Sequence, residues 1–509
     1  MLGSRARVWS AAIAIACASL AGCGSDSQSA QQNIQTTTRG TLIYNLPFRI
    51  ASVSAQAFQA QLSATAQGPQ VLQLAGAPVC GVDFYHLEYY TVGGAGETTT
   101  ASGALMVPTG AAPACSGPRP ILLYGHGTKV DKATNLADPT DPNNGEGVLI
   151  AAMYAAQGYI VVAPNYAGYD ISSLPYHPYL NGDQQSKDMI DALDAARTAL
   201  PNTMSAATSD NGKLFVSGAS QGGYAAMATV KALLAAGKTV VASAAISGPY
   251  AIEAMVDEVV FGAVPSGATG LFPLIVTSYQ HSYGDVYKAT TDIYEQQYAN
   301  GIDAILPSTT SVQNLVTTGR LPATALFNSM TPVTGNAALD ALLAVPANPA
   351  FAIGFGSSNL VTNDYRVGYA LDAVMHPDGA VPPAKPGLAP AAAPQNTLRI
   401  ALKANDMRGG WVPESPMLLC GGDQDPTVFF ANTLTMQAYW AALPPGLITV
   451  LDVNAPVTPN DPFAAAKVAF QEALAQLIAT GGQAAIYTQY HSAVIPFCTA
   501  AARGFLSQF

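Results

Sequence analysis

Between Pro120 and Ser220 the chain alternates between short, continuously apolar runs and longer amphipathic stretches. PILLYGHG (120–127), GYIVVAPNYAG (158–168) and KLFVSGAS (213–220) are the apolar runs. GVLIAAMYAAQ (147–157) and SKDMIDALDAARTAL (186–200) lie between them, with apolar residues at helical spacing. A strand that is apolar on both faces must be covered from both sides, so the pattern predicts an α/β architecture: a mostly parallel central sheet with helices on both faces.

The pattern continues after a long interruption. VVASAAISGP (240–249) reads as another strand, and SPMLLCGGDQDPTVFF (415–430), ANTLTMQAYWAAL (431–443) and LITVLDVN (447–454) read as strand, helix and strand. Upstream, HLEYYTVGGAGETTTASGALMVPTG (86–110) alternates around Gly93–Gly96 as a β-hairpin does. Residues 251–411 do not fit the pattern. They are tyrosine-rich with helical spacing, end in the Pro/Ala-rich HPDGAVPPAKPGLAPAAAPQ, and are expected to form a large helical cap inserted into the core of 61–250 and 412–509.

The N-terminus carries a different signal. Arg5 and Arg7 precede an apolar stretch from Val8 to Leu20, too short to span a bilayer as a mature helix, so 1–22 is expected to be a signal peptide. Leu20-Ala21-Gly22-Cys23 looks like a bacterial lipobox, which makes Cys23 a lipidation site and membrane attachment through it an expectation. Residues 23–60 are then a polar tether and N-terminal segment. Export to the cell envelope as a lipoprotein, or secretion, follows.

Cysteine usage agrees with that compartment. Cys80, Cys115, Cys420 and Cys498 form an even set that allows three connectivities. The favoured pairs are Cys80–Cys115 and Cys420–Cys498, because each staples neighbouring pieces of one fold. The formal charge of −11 becomes −13 without Arg5 and Arg7, and no basic stripe is present, so nucleic acid is an unsuitable partner.

Gly218-Ala219-Ser220-Gln221-Gly222 matches G-x-S-x-G at the point where a buried strand meets a small-residue helix. Such a turn raises a serine hydroxyl above the sheet and directs helix N-terminal amides at a developing oxyanion. A serine nucleophile needs a histidine to take its proton and an acid to orient that histidine, in the chain order Ser, acid, His. Asp425 is the preferred acid because Gly422, Asp425 and Val428 follow the G-x-x-D-x-x-V spacing; Asp423 is the alternative. His491 follows both aspartates and no other histidine does. The oxyanion donors are expected to be the backbone amides of Gln221 and of Gly127, with Thr128 close behind Gly127. His126 and His177 are read as structural, the pocket mouth being the alternative place for His177. A Cys420–Cys498 bridge would fix the acid loop against the histidine loop.

Over residues 80–250 and 412–509 the sequence resembles the α/β-hydrolase superfamily. YGHGT, VVAPNYAGYD, SGASQGG, CGGDQDPTVFF and YHSAVIPFC are similar to the branch that holds fungal secretory lipases of the lipase A type and bacterial lipoprotein esterases. Asn165 departs from the aspartate frequent in related D-Y-x-G turns. The resemblance implies hydrolysis of small-molecule or lipid esters through an acyl-enzyme, with no metal or other cofactor and with a helical cap over the pocket. A serine peptidase of the same fold and a surface lipoprotein without catalysis are the competing readings.

Overall fold

The computed structural model describes residues 38–203, 207–381 and 388–509. Cys23 and the expected signal peptide lie outside the described residues. Nine strands form one sheet: β1 Phe48–Val53, β2 Gly81–Val92, β3 Thr98–Thr109, β4 Gly117–Gly125, β5 Ile160–Pro164, β6 Thr208–Ala219, β7 Ala242–Ile246, β8 Met417–Gly421 and β9 Ile448–Asp452. Their order is β1-β2-β3-β5-β4-β6-β7-β8-β9. The first three strands pair antiparallel, and every pairing from β5 to β9 is parallel.

The parallel strands are buried on both faces, which is why they read as unbroken apolar runs. Alternate residues go to opposite sides: Ile121, Leu123, Leu214 and Val216 pack with the helices Gly182–Thr203 and Gln221–Ala235. Leu122, Tyr124, Phe215 and Ala219 pack on the other face with the helix Gly145–Met153 and the C-terminal helical segment.

Two elements differ from the sequence reading. Strand β1 and the helix Ala55–Ser63 belong to the folded body, so the sheet begins inside the stretch read as tether and N-terminal segment. His491 stands on a helix rather than a loop: residues Ala464–Leu506 are helical apart from a break at Gly482, where φ is 63° and ψ −167°. Gly482 adopts a backbone that other residues rarely reach, so it lets the second helical piece turn toward the sheet end that carries the serine.

Between β7 and β8 the chain forms helices, among them Ile252–Val260, Ala268–Tyr283, Asn363–Met375 and Thr397–Ala404. Two buried guanidiniums tie this region together. Arg399 meets Asp257 at 2.7 Å, Asp372 at 2.9 Å and Glu253 at 3.5 Å, and Arg408 meets Asp378 at 2.6 Å and Asp406 at 2.7 Å. Both favoured disulfides are present, Cys80–Cys115 and Cys420–Cys498. No described helix is long and apolar enough to cross a membrane.

Candidate active site

Strand β6 ends at Ala219, and the next residue turns sharply. Ser220 has φ 58° and ψ −123°, a conformation that a residue with a side chain holds only when its surroundings enforce it. The surroundings are backbone. A Cβ on Gly222 would lie 1.9 Å from the Gly125 carbonyl oxygen, and one on Gly218 would lie 2.2 Å from the Gly222 carbonyl oxygen. Glycine at both positions therefore permits the close approach of β4, β6 and the helix that follows. Ser220 N–H donates to Ile246 of β7 at 2.8 Å, which anchors the turn.

His491 bridges the serine and the acid. Its Nδ1 lies 2.6 Å from Asp425 Oδ2, and its Nε2 lies 2.8 Å from Ser220 Oγ. A carboxylate only accepts, so Nδ1 carries the proton and Nε2 is left to accept from the serine hydroxyl. Asp425 is itself held, because its Oδ1 accepts from the backbone N–H of Thr427 at 2.9 Å and of Val428 at 3.1 Å. Asp423 is exposed and accepts from Asn454 Nδ2 at 2.7 Å instead. Burial disfavours the charged imidazole of His491, but the charge and hydrogen bond of Asp425, with the more distant Glu146, outweigh it and raise its pKa above the ordinary value.

The loop expected to supply an oxyanion donor departs from expectation at one atom. Gly127 N–H donates to Glu146 Oε1 at 2.9 Å, so this amide is already engaged by a carboxylate. An oxyanion could not share it without facing that negative charge at close range. The Thr128 amide has no partner among the described residues, and neither has the Gln221 amide at the start of its helix. His126 is fully buried, with Nδ1 2.6 Å from Gly127 O and Nε2 3.2 Å from Asn165 O, so the ring ties this loop to the turn after β5; burial pushes its pKa below the ordinary value. His177 is buried beneath the site rather than at its mouth. Its Nδ1 meets Ala167 O at 2.8 Å, leaving Nε2 to accept from Gln221 Nε2 at 2.6 Å, and burial drives its pKa down to about 3.

Ser220 and His491 open into a cavity of about 340 Å³. Ile252, Met255, Val259, Phe272 and Ile275, from the helices Ile252–Val260 and Ala268–Tyr283, give it an apolar wall, and Thr128, Lys129, Glu146 and Tyr179 give it a polar one. A larger groove of about 740 Å³ is lined by Asp423, Asp425, Phe429 and Glu258 among others, and holds neither Ser220 nor His491. Sequence reasoning misses Glu146. In the first turn of a helix after Asn144, an acid reads as a partner for the helix dipole, and nothing local marks it as a pocket residue.

Comparison with known proteins agrees with this fold. The sequence matches the Prolyl oligopeptidase family over residues 149–256, the stretch from before β5 to the start of the cap. No curated protein matches it. The ligand-bound form of the rice cell wall degrading esterase LipA from Xanthomonas oryzae superposes with a TM-score of 0.65 at 25% identity, covering 92% of this chain and 98% of that one. The chain is an α/β-hydrolase. A protein from Legionella pneumophila shares this hydrolase's fold with a TM-score of 0.62 at 18% identity, over 91% of this chain and 96% of that one. The likeness to an esterase across nearly the whole hydrolase supports hydrolysis of esters as its general activity.

Proposed function

We propose that this hydrolase is an exported serine esterase or lipase that works through an acyl-enzyme. Ser220 Oγ attacks the ester carbonyl carbon while its proton passes to His491 Nε2. Asp425 holds the imidazole in the right tautomer and stabilises the imidazolium. The tetrahedral oxyanion takes hydrogen bonds from the amides of Gln221 and Thr128. As the intermediate collapses, the bond to the alcohol breaks and His491 returns its proton to the leaving oxygen. Water then attacks the acyl carbon, gives a proton to His491, and the bond to Ser220 breaks to release the acid and restore the hydroxyl.

One observation carries the reading: His491 is within hydrogen-bond reach of Ser220 Oγ at 2.8 Å and of Asp425 Oδ2 at 2.6 Å, at the opening of a largely apolar cavity. The apolar wall from the cap suits an acyl chain. Hydrolysis of p-nitrophenyl esters from C2 to C16, with a p-nitroanilide control, tests it. Ester cleavage that Ser220→Ala abolishes is the expected result; full activity in Ser220→Ala defeats the proposal.

The match to the Prolyl oligopeptidase family favours a second reading, a serine peptidase. A peptidase that cleaves near a chain end needs a charged anchor for that terminus. The charged groups lining the cavity beside the site, Lys129 and Glu146, are 3.0 Å apart and neutralise each other, which supports the ester reading. Preferential cleavage of the anilide would reverse that choice. Two disulfides support an oxidising compartment, and lipidation of Cys23 is part of the same proposal. Metabolic labelling with a fatty acid that Cys23→Ser removes is its test.

A further inference from the structure

Glu146 stands outside the Ser220, His491 and Asp425 arrangement, yet it is heavily bonded at the edge of the cavity. Its Oε1 accepts from Gly127 N–H at 2.9 Å and from Tyr124 OH at 3.1 Å, and its Oε2 faces Lys129 Nζ at 3.0 Å. Burial works against its charge, but Lys129, His126 and the Gly127 amide outweigh burial and hold the carboxyl below its ordinary range. It is therefore an anion at neutral pH, compensated by one ammonium.

The loop that Glu146 grips is the one that must supply an oxyanion donor. His126 Nδ1 holds the Gly127 carbonyl at 2.6 Å while Glu146 holds the Gly127 amide, so the backbone on both sides of Gly127 is fixed. The next residue is held through its side chain, with Thr128 Oγ1 2.9 Å from Tyr179 OH. We propose that Glu146 is a positioning residue for the oxyanion loop: by engaging the Gly127 N–H it fixes Thr128, whose own N–H stands with that of Gln221 as the donor pair. The inference rests on the serine-hydrolase reading of the site. Lys129 has a defined part in it, since its ammonium offsets the carboxylate that would otherwise repel an oxyanion one residue away. Glu146 also acts through space on His491, where its negative charge adds to that of Asp425 in favouring the imidazolium.

The test is steady-state hydrolysis of a p-nitrophenyl ester across pH by Glu146→Ala and Glu146→Gln, with thermal unfolding of both. An oxyanion donor acts in the transition state, so Glu146→Ala is expected to lower kcat about 10²-fold with KM within about threefold. Glu146→Gln can still accept from Gly127 N–H and is expected to recover most of kcat at the alkaline plateau. Lacking the charge, it is expected to keep the acid limb of kcat/KM displaced to lower pH. A purely structural role would lower the unfolding temperature and lower kcat only in step with the unfolded fraction. Wild-type kcat and an unmoved acid limb in Glu146→Gln, together with wild-type kcat in Glu146→Ala, would overturn the proposal; so would a Gln variant impaired at every pH with its limb unmoved. If the Ala variant does not fold, the Gln profile decides alone. Ser220→Ala run alongside separates the two claims: ester hydrolysis surviving in that variant defeats the reading of the site, whereas its loss leaves the Glu146 result to bear on Glu146.

Discussion

Cys498 is bonded to Cys420 with their Cα atoms 5.7 Å apart, which ties the helix carrying His491 to the end of the strand that leads into Asp425. The loop it closes spans 78 residues, so in the chain-entropy account its removal costs about 4.5 kcal/mol. Because the bridge connects the acid's element to the histidine's, Cys420→Ser/Cys498→Ser is expected to lose activity at temperatures where the fold persists. Comparing residual esterase activity with far-UV circular dichroism during heating checks this; coincident loss of both signals would reduce the bridge to a general staple.

The elevated pKa of His491 sets the direction of the pH profile. The histidine must be neutral to take the serine proton, so kcat/KM falls as pH drops through its pKa, which lies above the ordinary histidine value of about 6.5. Asp425→Asn removes the largest factor raising that pKa and forfeits the required tautomer. Its acid limb is expected at lower pH and its kcat lower by about 10⁴-fold. A pH-rate profile of the variant with the limb unmoved would contradict the assignment of the limb to His491.

Gly222 has no room for a side chain, since a Cβ there would sit 1.9 Å from the Gly125 carbonyl oxygen. Gly222→Ala is expected to force β4 and the helix Gln221–Ala235 apart, costing about 3 kcal/mol or more and displacing Ser220 from His491. Gly127→Ala is the contrasting case. A Cβ there would meet its nearest neighbours at 3.5 Å, an ordinary contact, so this variant is expected to unfold close to the wild-type temperature. Calorimetry on the pair checks the contrast.

The difference between these two glycines indicates what the sequence could and could not reveal. The G-x-S-x-G turn is local: a buried strand, a glycine on either side of the serine, and a helix of small residues leave few conformations open, so Ser220 was legible. Asp425 was legible through the spacing of Gly422 and Val428, and His491 through chain order. The engagement of the Gly127 amide by Glu146 was not legible, because it joins a loop to a helix 19 residues later and neither residue type demands the other. Strand β1 escapes notice for a related reason. As an edge strand with Phe48, Arg49 and Ile50 exposed, it lacks the continuous apolar run that betrays the central strands. The helix under His491 was hidden by Gly481 and Gly482, where it begins after a break, and by Pro496 inside it, while packing against β7 and β8 holds this piece helical.

Glu253 offers a test of the cap that does not involve the chemistry. It is fully buried, and Arg399, its nearest cation at 3.5 Å, is already committed to Asp257 at 2.7 Å and Asp372 at 2.9 Å. Burial and the neighbouring charge of Asp378 therefore prevail over Arg399 and push its pKa up from 4.5 to about 8. The sign follows from proton linkage. Between pH 4.5 and about 8 the folded chain keeps a proton on Glu253 that the unfolded chain releases, so this group's contribution to stability is whole below that window and is lost as pH rises through it. Glu253→Gln, neutral at every pH and of similar shape, is expected to match the wild type near pH 5 and to be more stable near pH 8 by about 1 to 3 kcal/mol. Glu253 is next to Ile252 on the helix that walls the cavity, so the gain should appear first as tighter seating of that helix, read by hydrogen exchange of its amides. Urea unfolding curves for the two proteins that stay parallel from pH 5 to pH 8 would show that Glu253 is ionised throughout and that Arg399 serves all three acids.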